Sequence, residues 1–120
     1  MVIQSISYQG LEFVEYPRFT SVLTSKVSDE DFRKFQMELV EDPERGALIQ
    51  GTGGFRKARM RLQGGGKSGG ARVIYLYIPE KRVVFLANVY KKSARESLTS
   101  DEKNFLGKLA QDLKRYYRLG

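Results

Sequence analysis

The residues best equipped for chemistry lie in Phe55-Arg-Lys-Ala-Arg-Met-Arg-Leu62. Read with a period of two, Ala58, Met60 and Leu62 face one way, while Lys57, Arg59 and Arg61 face the other. A helix would scatter these charges around its surface; a strand lines three cations along one face. Arg56 precedes them, and Arg72, Lys91, Lys92 and Arg95 flank the strands that follow. Such a set could bracket a phosphate. RNA can be cut through its own 2′-oxygen once that oxygen is deprotonated and held in line with the phosphorus. A protein then supplies a base, cations for the pentacovalent phosphate and a proton for the leaving oxygen, and this chemistry requires no metal.

Histidine and cysteine are both absent. Disulfides, cysteine nucleophiles, zinc fingers, His-based metal sites and histidine general acid–base catalysis are therefore excluded. The base must come from Lys, Tyr or a carboxylate. Lys57 and Arg59 should sit roughly 6–7 Å apart on a strand, and a lysine crowded by like charge gives up its proton more readily. Lys57 is thus either the base or an ordinary phosphate contact. Tyr75 and Tyr77 are expected to pack within the sheet. Tyr90, next to Lys91-Lys92 at a strand end, is the tyrosine to suspect first.

The charge is unevenly placed. The chain carries a formal +7, yet residues 1–55 hold five basic and nine acidic side chains, whereas residues 56–95 hold eleven basic ones and a single acid, Glu80. Acids are excluded from that segment, so its field should attract a polyanion. RNA-contact candidates are Arg56, Arg61, Lys67, Lys91 and Arg95. Gly64-Gly-Gly-Lys-Ser-Gly69 satisfies a dinucleotide-loop pattern, but a strand is expected after it where a pyrophosphate site needs a helix N-terminus. No cofactor is expected. The loop reads better as a hairpin tip carrying Lys67.

At 120 residues the chain suits one domain, with residues 1–10 as an N-terminal extension or edge strand. Leu11–Tyr16 reads as a strand, Pro17 opens a short helix, and Ser28-Asp-Glu-Asp31 caps a second helix that ends near Asp42, before Pro43. Strands are expected over 55–62, 71–78 and 82–90, the last two joined through Pro79-Glu-Lys81. Thr99-Ser-Asp-Glu102 is a capping box, and the helix behind it places Phe105, Leu106, Leu109, Leu113 and Tyr116 on one side. The order β-α-α-β-β-β-α gives an α+β fold with a small, mainly antiparallel sheet flanked by helices. The start lacks a basic signal region, and the longest apolar run, Val73–Ile78, is too short to span a bilayer. The expectation is a cytoplasmic protein with no membrane partner.

These residues resemble a known group. Gly51-Thr-Gly-Gly-Phe-Arg-Lys57, Gly66-Lys-Ser-Gly-Gly-Ala-Arg72-Val-Ile-Tyr75 and Val89-Tyr-Lys-Lys92 look like the HigB branch of the RelE toxin family, with similarity running from about Phe13 to Leu113. The resemblance implies a toxin of a bacterial toxin–antitoxin module: an endoribonuclease that cuts mRNA in the ribosomal A site and is silenced by a cognate antitoxin. The family's catalytic positions fall on Lys57, Arg59, Arg72 and Lys92, with Arg61 next along the basic strand. RelE's C-terminal tyrosine falls on Leu98, so its role passes to no residue by resemblance. Ser93-Ala94 also replaces the Asn-Glu usual after the lysine in HigB-like chains. Two other functions fit the same residues: a ParE-like inhibitor of DNA gyrase, and a non-catalytic RNA- or ribosome-binding module.

Overall fold

The computed structural model describes residues 4–63, 69–95 and 97–117. Strands β1 (Gln4–Tyr8) and β2 (Leu11–Glu15) form a hairpin at the start of the chain, so the expected extension is an edge strand. Helices α1 (Pro17–Lys26) and α2 (Asp29–Glu41) follow, then the two-residue β3 (Ala47–Leu48), which the sequence pattern did not reveal. Strands β4 (Arg56–Met60), β5 (Ala71–Ile78) and β6 (Val83–Lys91) lead to the C-terminal helix α3 (Ser100–Tyr116). The sheet order is β1-β2-β6-β5-β4-β3, antiparallel throughout except for the parallel pair β2 and β6. No helix among the described residues is long and apolar enough to cross a membrane.

The helix starts follow from local chemistry. Pro17 occupies the first turn of α1, where its missing N–H costs nothing. Ser28 Oγ accepts the Asp31 N–H, and three acids fill the first turn of α2. At α3 the Thr99 hydroxyl accepts the Glu102 N–H at 3.1 Å while the Glu102 carboxylate accepts the Thr99 N–H at 2.8 Å, completing the capping box.

The sheet divides the core in two. On one face Phe19 and Leu23 of α1 and Phe35 and Leu39 of α2 cover Ala58, Met60, Val73 and Leu86. On the other face Leu106 and Ala110 of α3 cover Phe55, Ile74, Leu76 and Phe85. The expected apolar stripe of α3 is rotated slightly. Phe105 and Tyr116 are largely exposed, whereas Ala110 is buried and Tyr117 packs inward. The contacting line runs through 106, 110, 113 and 117, which leaves 105 and 116 together on its flank, about a quarter turn around the helix.

Tyr75 is fully buried and braces the connection into β3. Its hydroxyl donates to the Pro43 carbonyl at 2.8 Å and accepts the Gly46 N–H at 3.0 Å. Gly46 has no room for a side chain here: a Cβ would stand 2.9 Å from the Tyr75 ring and 3.0 Å from the Lys57 carbonyl. Removing the hydroxyl with Tyr75→Phe strands both backbone groups, a loss of about 1–3 kcal/mol. Thermal unfolding should show a midpoint several degrees lower; an unchanged midpoint would mean that water replaces the phenol.

Candidate functional site

The antiparallel register of β4, β5 and β6 sets out the site. Arg59 pairs with Arg72, and Arg72 pairs with Tyr90, so these three residues form one row across three strands. In the next row Lys57 pairs with Ile74 and Ile74 with Asn88. Directly paired residues project to the same side of a sheet. Ile74 and Tyr90 belong to the α3-side core, so Lys57, Arg59 and Arg72 share that face. Ala58 and Met60 are buried on the opposite side, as the period of two requires.

Tyr90 reaches this row through a bulge. In β6, Val84 and Leu86 face the α1–α2 side and Phe85 faces α3. Strict alternation would send Tyr90 toward α1 and α2. Instead the pairing steps from Tyr75 with Leu86 to Ile74 with Asn88, so Ala87 is an extra residue. Val89 rather than Asn88 then returns to the α1–α2 side, and Tyr90 turns to the other. The Val89 N–H donates to the Asn88 side-chain oxygen at 2.9 Å. A bulge of this kind re-aims the side chains beyond it.

Two anchors hold the surroundings. Arg45 donates both Nη groups to the Arg59 carbonyl, at 3.3 and 3.2 Å, pairs with Glu38 at 3.1 Å and lies over the Phe35 ring. It closes the edge of β4 beyond the short β3. The Gly70 carbonyl accepts the Lys92 N–H at 3.2 Å, tying the segment after β6 to the start of β5. Gly70 has a φ of +100°, and a Cβ there would meet the Met60 carbonyl at 2.9 Å, so glycine is required.

Arg95 and Glu102 form the lid of this corner. The Arg95 guanidinium stands 5.1 Å from the centre of the Tyr90 ring and also grips Glu102, with one contact of 2.7 Å and a second, shorter one. A further bond runs to the Ser97 carbonyl at 2.8 Å. Beneath it the Tyr90 hydroxyl is buried and is the one buried side-chain polar atom without a hydrogen-bond partner among the described residues. Burial raises its pKa above the ordinary phenol value despite the nearby charges of Arg95 and Arg72, so the phenol keeps its proton at neutral pH.

The other candidates are placed differently. Arg56 pairs with Tyr75 on the opposite face and donates to the carbonyls of Glu44 and Gly46 at 3.0 and 2.8 Å. It is not brought together with Lys57 and Arg59. Lys91 pairs with Ala71 and so belongs to the α1–α2 side, at its exposed end. Lys92 and Arg61 are exposed just beyond β6 and β4. Lys67 lies outside the described residues. Leu98 is half-buried against the α3-side core. Ala71 starts a strand directly after the glycine-rich loop, as the rejection of a dinucleotide site required. Among the described residues no three carboxylates gather to hold a metal ion.

The hydrogen bonds from Arg95 hold the Glu102 carboxyl at a pKa of about 2. This folded-state value lies below the ordinary one of about 4.3, so the stabilisation is complete above the ordinary value and is lost as pH falls toward 2. The stability difference between the protein and a Glu102→Gln variant, from urea unfolding, should therefore be largest near neutral pH and shrink below about pH 4. A difference independent of pH would contradict this linkage.

Two comparisons bear on the whole arrangement. A family model described as the RelE toxin of the RelE/RelB toxin–antitoxin system matches residues 20–118. The chain is also similar to a solved structure of the E. coli toxin RelE, an arginine-to-alanine double mutant in the free state. The two share 29% sequence identity over 70% of this chain and 85% of that one, with a TM-score of 0.53.

Proposed function

Because this chain belongs to the RelE toxin family and is thus a toxin of a toxin–antitoxin system, we propose that it stops translation by cutting mRNA in the ribosomal A site. Membership implies a cognate antitoxin as partner. The observation that carries the catalytic reading is the single row Arg59, Arg72 and Tyr90 beside Lys57 on one face of the sheet.

The reaction uses the RNA's own 2′-hydroxyl. Lys57 takes its proton, and the resulting oxygen attacks the adjacent phosphorus. The bond to the 5′-oxygen breaks, leaving a 2′,3′-cyclic phosphate and a 5′-hydroxyl end. Arg59 and Arg72, with Lys92 at the end of β6, stabilise the charge that builds on the phosphoryl oxygens. Guanidinium groups suit this task because they stay charged and offer planar pairs of donors. Tyr90, protonated and with no hydrogen-bond partner for its hydroxyl, fits the role of proton donor to the leaving oxygen once bound RNA displaces Arg95 from above its ring, a role for which Leu98 has no suitable atom. Arg61 adds positive charge around the RNA, and Arg95, paired with Glu102, covers the Tyr90 ring at the end of the row. No step requires a metal.

Cleavage mapping in a reconstituted translation system tests this. The protein should cut ribosome-bound mRNA, and Lys57→Ala and Arg72→Ala should each slow cleavage by about 100- to 1000-fold, the usual loss for one transition-state contact. Full cleavage by both variants would remove the assigned site. Translation arrest without any cut would favour a binding module, and gyrase inhibition with intact messages a ParE-like target. Tyr90→Phe separates structure from chemistry. It should leave stability unchanged or raised, since it deletes an unsatisfied buried hydroxyl, while cleavage falls; undiminished cleavage would remove Tyr90 from the mechanism.

A further inference from the structure

We propose that the cleft between α1 and the end of β6 holds the single-stranded message next to the cut, with a base on its apolar floor and phosphates on its rim. This rests on the reading of the chain as an mRNA-cutting toxin, and extends it to a surface outside the catalytic row.

The cleft exists because β2 leaves β6 early. Their pairing ends at Glu15 with Leu86, and the Tyr16 N–H makes the last bond, to the Leu86 carbonyl at 3.0 Å. Beyond that point β6 continues through its bulge to Lys91, and α1 lies alongside it in place of a strand. A helix packs less closely against a strand edge than another strand does, so a space of about 300 Å³ remains. That is the lower end of small-ligand pockets and suits one base-sized group.

Its lining has the two properties that a nucleotide requires. The floor includes Val22, Val27, Leu62 and Val89, apolar side chains against which a base can rest. The rim carries Arg18, Lys26 and Lys91, with Arg95 and its partner Glu102 at one end, and no carboxylate is among the described lining residues themselves. Arg18, Lys26 and Lys91 are exposed. Like charges around an apolar hollow favour a polyanion with flat unpaired bases over an uncharged peptide.

The cleft is also continuous with the catalytic row. Tyr90 and Arg95 line it and at the same time close the end of that row. A strand of RNA with its reactive phosphate at Arg59 and Arg72 therefore has a basic path past Arg95 toward Lys91, Lys26 and Arg18. This gives Arg18 and Lys26 a role that their position in the acidic half of the sequence conceals. It also gives Lys91 a use on the side of the sheet away from Lys57.

The test uses ribosomes carrying a message made uncleavable by a 2′-deoxy nucleotide at the cut site, with 4-thiouridine at positions on either side. Irradiation with the wild-type toxin should crosslink a flanking nucleotide to peptides spanning residues 18–27 or 91–95. The Arg18→Ala/Lys26→Ala double variant should lose that crosslink and bind the programmed ribosome about tenfold or more weakly. Its log affinity should depend less steeply on log salt, by about 0.7 per lost single-strand phosphate contact. Lys34→Ala on α2, exposed and paired with Glu30, should match the wild type. Flanking crosslinks that map elsewhere, or wild-type affinity and salt slope in the double variant, would overturn the proposal. So would crosslinks to ribosomal RNA alone, or a double variant that loses only antitoxin binding. A wild-type protein that neither cuts nor binds programmed ribosomes would instead remove the underlying reading, and this proposal with it.

Discussion

Between Leu86 and Val89 the alternation of β6 slips by one residue, and the composition of the row proposed as catalytic depends on that slip. With Ala87 as the extra residue, Tyr90 turns to the α3 side and aligns with Arg72 and Arg59. The bulge begins where β2 ends its pairing with β6. One strand departure thus accounts for three features. It ends the parallel ladder, it leaves α1 to cover the edge of β6, and it precedes the reversal that directs Tyr90 toward the cations.

Gathering cations on one face has an electrostatic cost, and the backbone that carries them is fixed from outside the row. Arg45 holds the backbone of Arg59 through its carbonyl, and Gly46 and Tyr75 brace the chain beneath Lys57. Glu102, at the end of the row, is engaged by Arg95 and by the cap of α3. Arg95 is thereby held over the Tyr90 ring, and burial keeps the phenol protonated against the pull of the two nearby guanidinium charges. A polyanion that entered this corner would relieve the repulsion among the cations, so electrostatics favours the bound state there.

Much of this was legible in the sequence because the signals were local. Ser28, Thr99 with Glu102, and Pro17 marked their helix starts through bonds made within a few residues. The alternation of Lys57, Ala58, Arg59 and Met60 gave the two faces of β4. The rest depended on pairing. Arg56 shares the parity of Ala58 and Met60, so the period of two already turns it from Lys57, but the carbonyls of Glu44 and Gly46 that it serves are visible only in the fold. The bulge has no composition of its own, since Ala87 and Asn88 fit a regular strand. Arg18 and Lys26 are ordinary surface residues until β2 ends and α1 is laid beside β6. Arg45 gave no signal either, because its partners on α2 and β4 lie far from one another in the chain.

We propose that the row acts on the transition state rather than merely attracting RNA. Single-turnover cleavage of programmed ribosomes, measured over a range of toxin concentrations for the wild type and for Arg59→Ala and Arg72→Ala, separates these roles. Transition-state stabilisation by the row requires the cleavage rate at saturating toxin to collapse in both variants while the half-saturating concentration changes little. If instead the saturated rate is preserved and only the half-saturating concentration rises, the row is a docking surface and the chemistry resides elsewhere.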